Sequence, residues 1–116
     1  MSIQRYHTGP RLSEIVVHNN TVYLAGQVAE TTLQQGPRHQ TEEVLGMIDR
    51  LLAEVGSDKT KILSVQIWLS DMDDYDEMNA AWSAWVPQGH TPARATVESR
   101  LASPDYRVEI KIIAAL

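Results

Sequence analysis

A chain of 116 residues with 43% apolar and 22% charged residues suits a single domain, residues 1–116, with one sizeable core. It has no cysteine, which excludes disulfides, thiolate nucleophiles and cysteine-ligated metals. A net charge of −5 without a basic block, and no phenylalanine at all, argue against nucleic acid as a partner.

An early strand is expected near residues 3–6. Residues 14–17 and 22–25 are β-rich runs joined by Asn19-Asn20-Thr21, and they read as a hairpin because asparagine tolerates left-handed backbone. A loop over residues 30–39 is punctuated by Gly36-Pro37. In residues 41–55 the apolar positions Val44, Leu45, Ile48, Leu51, Leu52 and Val55 recur at three- and four-residue steps, the mark of an amphipathic helix that Gly56 stops. Over residues 62–70, Leu63, Val65, Ile67 and Leu69 alternate with Ser64, Gln66 and Trp68, which predicts a strand. A second helix starts within residues 71–74 and runs to about Val86, where Pro87 and Gly89 break it. Two last strands, residues 93–98 and 107–114, flank a Ser103-Pro104-Asp105 turn.

The expected fold is α+β, a single sheet with two helices on one face. On the pattern alone, the uncovered face carries Arg94, Thr96, Glu98, Arg107, Glu109 and Lys111 together with Gln66 and Trp68. So polar a face either meets solvent or packs against further copies of the chain around a cavity.

Motifs for familiar chemistries are missing. The histidines His7, His18, His39 and His90 have no metal-ligand spacing, so no metal is expected. The acidic run of residues 71–77 has Asp76 where a calcium loop needs glycine and Trp82 where it needs glutamate. Its aspartates are better placed to start a helix. Neither a G-x-S-x-G turn nor a glycine-rich phosphate loop occurs, and no cofactor is expected. Trp82 and Trp85 read as packing residues, and Gly26, a lone glycine after a strand, as a bend or bulge. The start of the sequence has no signal-like apolar run and no stretch approaches ~18 apolar residues, so a membrane is not expected and the cytoplasm is the default compartment.

One segment stands out: Thr91-Pro92-Ala93-Arg94-Ala95-Thr96. Proline fixes the chain just before a guanidinium whose planar fork grips a carboxylate through two parallel hydrogen bonds. Two readings are open for Arg94, a ligand carboxylate or an ion pair with a glutamate of its own chain. Glu109 likewise reads either as a functional carboxylate or as the partner of an Arg or Lys.

Four separated patterns resemble the RidA/YjgF family, whose members are also called endoribonuclease L-PSP: Val22-Tyr23-Leu24-Ala25-Gly26-Gln27, Asp74-Tyr75-Asp76-Glu77-Met78-Asn79, Pro92-Ala93-Arg94-Ala95-Thr96-Val97-Glu98 and Val108-Glu109-Ile110-Lys111-Ile112-Ile113-Ala114. The run Ala81-Trp82-Ser83-Ala84-Trp85-Val86 with Gly89-His90 resembles the short bacterial YoaB-like branch. The resemblance implies a chorismate mutase-like mixed sheet and a homotrimer with clefts between subunits, which would bury the polar sheet face. It also implies an enamine/imine deaminase that hydrolyses 2-aminoacrylate-type intermediates to 2-keto acids and ammonium. By that resemblance Arg94 binds the substrate carboxylate, backbone N–H groups near Ala95 and Thr96 help orient it, and Glu109 positions the water. Thr96 stands where the family has cysteine, Ala25 where it has serine, and Arg11 or Leu12 where it has tyrosine. The implied partners are a small carboxylate or imino-acid ligand and further copies of the chain. A non-enzymatic carboxylate-binding trimer is the alternative, and a ribonuclease or translation inhibitor fits the charge least.

Overall fold

Asn19 and Asn20 both take left-handed backbone, at φ 52° and 61°, and so fold the first predicted hairpin back on itself. In the computed structural model, which describes residues 2–116, that hairpin joins β2 (Ser13–His18) to β3 (Thr21–Leu24). The early strand exists as β1 (Gln4–Thr8), paired antiparallel to β2. Helix α1 (Pro37–Glu54) starts one turn earlier than the apolar periodicity, because Pro37 provides a pre-set first helical residue. It ends where Gly56 takes φ 80°. Then follow β4 (Ile62–Leu69), a 3-10 turn (Met72–Asp74), α2 (Tyr75–Trp85), β5 (Ala93–Glu98) and β6 (Val108–Ala115). The Asp71 carboxylate accepts the Asp73 N–H at 2.9 Å and opens that turn, the helix-starting role expected of the acidic run.

The six strands form one mixed sheet in the order β1-β2-β3-β6-β4-β5. Only β4 and β5 run parallel, and α2 is the crossover that such a pair requires. Ile15, Val22, Leu24, Val65, Ile67, Leu69, Val108, Ile110 and Ile112 turn one face toward the helices. There they meet Val44, Leu45, Ile48 and Leu52 of α1 and Met78 and Trp82 of α2. This buried layer is the core. Arg107, just before β6, reaches the same side and pairs with the buried Asp74 carboxylate at 2.8 Å.

Three assignments made from alternation are corrected. A bulge between Ile62 and Ser64 turns Ile62 inward and leaves Leu63 52% exposed. More consequentially, β5 pairs with β4 so that Arg94 lies opposite Val65, Thr96 opposite Ile67 and Glu98 opposite Leu69. Arg94, Thr96 and Glu98 therefore share the helix side, and Ala93, Ala95 and Val97 share the uncovered side with Ser64, Gln66 and Trp68. Glu109 and Lys111 do lie on the uncovered face, opposite Trp68 and Gln66. Arg107 does not, since its side chain turns to Asp74.

Candidate functional site

Arg94 sits on the edge strand β5 with its guanidinium against α2. Its Nη1–H donates to Asn79 Oδ1 at 2.8 Å, and its Nη2–H donates to Tyr75 Oη at 3.3 Å. The same cation lies over the Trp82 ring, 5.2 Å from the centroid, and 5.9 Å from that of Tyr75. Nη1 also donates to Met78 Sδ at 4.0 Å, and residues 75, 78, 79 and 82, spaced i, i+3, i+4, i+7, place the cradle on one stripe of α2. Among the described residues no carboxylate pairs with Arg94. The ion-pair reading therefore fails for this arginine. Arg107 makes the contrast: its bidentate hydrogen bonds to Asp74 raise its already high pKa, against burial, which works the other way.

Two positions along β5, on the same side, lies Thr96. Its Oγ1 is buried without a hydrogen-bond partner, alone in this among the described residues. A buried hydroxyl left unpaired costs about 1–3 kcal/mol. Ala95, between them, points to the uncovered face and is exposed.

Glu109 builds a second cluster. A Cβ added at Gly26 would fall 2.2 Å from Glu109 Oε2, so the carboxylate lies directly against the Gly26 backbone. The glycine read from sequence as a bend is thus the space that the acid occupies. Lys111 Nζ donates to the Leu24 carbonyl at 2.9 Å, and Gln27 Nε2 donates to Glu14 Oε2 at 2.7 Å and to the Ala25 carbonyl at 3.1 Å. Glu109 has no salt bridge among the described residues, so its structural ion-pair reading fails too. Leu12, 54% exposed, lies at the tip of the β1–β2 hairpin beside a hollow that Glu14 also lines.

The expected residues therefore fall into two separate groups. Arg94 and Thr96 stand together, as do Glu109 and Ala25, and Leu12 connects to the latter through Glu14. The two groups do not meet within one chain. Arg94 is opposite Val65 and Val65 opposite Ile112, three positions from Glu109. At ~3.4 Å per residue and ~4.8 Å per strand, that places their backbones about 14 Å apart, with side chains leaving opposite faces. A hollow of about 440 Å³ at the β5–β6 loop, lined by Glu98, Arg100 and Tyr106 among others, includes neither residue.

Sequence reasoning missed Asn79, Tyr75 and Trp82 as partners of Arg94. Their common helical stripe was the available signal.

The model of the family described as Endoribonuclease L-PSP matches residues 3–116. The chain belongs to this family. Relatives of known sequence match most or all of the chain. A RutC family protein of Haemophilus influenzae is 54% identical over 114 residues, covering 98% of each chain. RutC family protein YoaB of Escherichia coli is 44% identical over 116 residues, covering both chains fully. The crystal structure of a YjgF family member from Neisseria meningitidis superposes with a TM-score of 0.95 at 52% identity, covering 99% of this chain and 95% of that one. A more distant relative, 28% identical over 109 residues (90% of this chain, 58% of the other), is the chloroplastic Reactive Intermediate Deaminase A of Arabidopsis thaliana.

Proposed function

We propose that this chain is an enamine/imine deaminase acting on small 2-imino acids, at a site that two copies of the chain complete. The observation that carries the reading is Arg94, a guanidinium held by Asn79, Tyr75 and Trp82 with no carboxylate partner among the described residues. With Nη1 also donating to Met78 Sδ at 4.0 Å, two of its five N–H donors remain, as many as a bidentate carboxylate needs. The name of the Arabidopsis relative points to the same chemistry.

In this mechanism Arg94 holds the carboxylate of the 2-iminium form. Glu109, fixed against Gly26, orients a water and takes its proton as the oxygen attacks the imine carbon. Glu109 returns that proton to the carbinolamine nitrogen; the C–N bond then breaks as the hydroxyl oxygen forms the C=O, and the departing ammonia takes up the hydroxyl proton. Water and the 2-iminium acid become a 2-keto acid and ammonium. Placement and proton transfer are the whole contribution, worth ~10²–10⁴ in rate. Because Arg94 and Glu109 leave opposite faces of one sheet, Glu109 reaches the imine from a neighbouring copy. The homotrimer implied by the family resemblance supplies such a neighbour.

The same separation supports a second reading, a carboxylate-binding protein without turnover, should the copies not bring the two halves together. An assay separates them. 2-Aminoacrylate is generated by a dehydratase, and the surviving imine is trapped as a semicarbazone. Wild-type protein should speed its loss, and Arg94→Ala should abolish the effect. If Arg94→Ala hydrolyses at the wild-type rate, the proposed mechanism is wrong. If wild type accelerates no amino-acid-derived imine, the binding role takes its place.

A further inference from the structure

We infer that Tyr75 is a ligand-binding residue whose phenol donates a hydrogen bond to the carboxylate held by Arg94. The inference rests on the carboxylate reading of Arg94 and adds a second donor, from a residue that the sequence patterns of the site did not single out.

A guanidinium has donors only. In the 3.3 Å contact between Arg94 Nη2 and Tyr75 Oη, the phenol must therefore be the acceptor. Its own O–H hydrogen then points elsewhere, and none of the hydrogen bonds among the described residues uses it. Tyr75 is 39% exposed, so that hydrogen is accessible to a ligand.

The ring position reinforces this. Tyr75 opens α2, four residues before Asn79 and seven before Trp82, and its ring centre is 5.9 Å from the Arg94 guanidinium carbon. Asn79 presents its carbonyl to Nη1 and so takes one hydrogen of the fork without offering one in return along that bond. Tyr75 alone of the two holds a hydrogen on the very atom that touches the guanidinium. A carboxylate on the remaining Arg94 N–H groups brings an oxygen beside that hydroxyl. The predicted ligand class is a small 2-keto or 2-imino acid, held by two guanidinium hydrogens and one phenolic hydrogen.

The test is calorimetric titration of the intact protein with 2-ketobutyrate, a keto acid that is not consumed, using wild type, Tyr75→Phe and Arg94→Ala. Phenylalanine keeps the ring over the cation and deletes only the hydroxyl. Loss of one hydrogen bond to a charged carboxylate weakens binding about ten- to hundred-fold, whereas Arg94→Ala should show no binding. The Arg94 Nε–H resonance of the ligand-free Tyr75→Phe protein should stay where it is in wild type. Unchanged affinity in Tyr75→Phe, with binding lost in Arg94→Ala, overturns the inference and leaves the Arg94 reading standing. Weaker binding with a displaced Arg94 resonance also overturns it, making Tyr75 a positioning residue. A wild type that binds neither 2-ketobutyrate nor pyruvate removes both.

Discussion

Gly26→Ala is the sharpest probe of the Glu109 cluster, because its effects on stability and on chemistry should separate. The new Cβ would lie 2.2 Å from Glu109 Oε2, 3.1 Å from Cδ and 3.3 Å from Cγ. Ordinary carbon contacts begin near ~3.5 Å, so the carboxylate must move by about 1 Å or more. What must move is the end of a flexible, half-buried side chain rather than backbone. Alanine in place of glycine also lowers the entropy of the unfolded chain by about 0.4–1 kcal/mol where the backbone accepts it. Urea unfolding should therefore give a stability within about 1 kcal/mol of wild type. Imine hydrolysis should fall ~10²-fold, the usual penalty for misplacing a reacting group by 1 Å. Both quantities come from one preparation, by urea titration and the semicarbazone assay. Full activity in a folded Gly26→Ala protein would refute the placement of Glu109 as the water-orienting base. A loss of several kcal/mol would instead make Gly26 a structural residue.

Three further outcomes are expected. Arg107→Ala leaves the 9%-exposed Asp74 carboxylate without its partner and should cost about 2 kcal/mol in urea unfolding. Burial works to raise the Glu43 carboxyl, but the Thr32 hydroxyl and the N–H groups of Glu30, Thr31 and Thr32 together hold it at about 2, below its ordinary 4.5. The folded value lies below the unfolded one, so this stabilisation is complete above pH 4.5 and fades as pH falls toward 2. The stability difference between wild type and Glu43→Gln, followed by urea unfolding across that window, should shrink in step. Ile62→Ala should cost about 2–4 kcal/mol in thermal unfolding, whereas Leu63→Ala, on the outer side of the bulge, should change stability by less than about 1 kcal/mol.

Much of the fold follows from local pattern. The bounds of β5 match its alternation, Asn19-Asn20 provides the left-handed turn, and Gly56 ends α1. Which face of β5 meets the helices does not follow, because an edge strand of Ala, Arg, Ala, Thr, Val and Glu has no dominant apolar side. Small Ala93 and Ala95 look like core, but the parallel register with β4 and the ring of Trp82 decide for Arg94. The shift at Leu63 has a similar origin, since one extra residue in a bulge reverses the parity of a run that alternates perfectly on paper. Arg94 and Glu109 are candidates that their segments single out. Their partners are long-range: Asn79 is 15 residues from Arg94, and Gly26 meets Glu109 only through the β3–β6 neighbourhood.

The placement of Arg94 and Glu109 on opposite faces of one sheet has a genetic corollary if the proposed function holds. A chain damaged at Arg94 keeps its Glu109 surface intact, and a chain damaged at Glu109 keeps its Arg94 cradle. On the two-copy reading, two such alleles expressed in one cell assemble into mixed oligomers, and a share of the interfaces then joins one sound half to the other. On that reading each allele alone should be inactive, and the two together should complement.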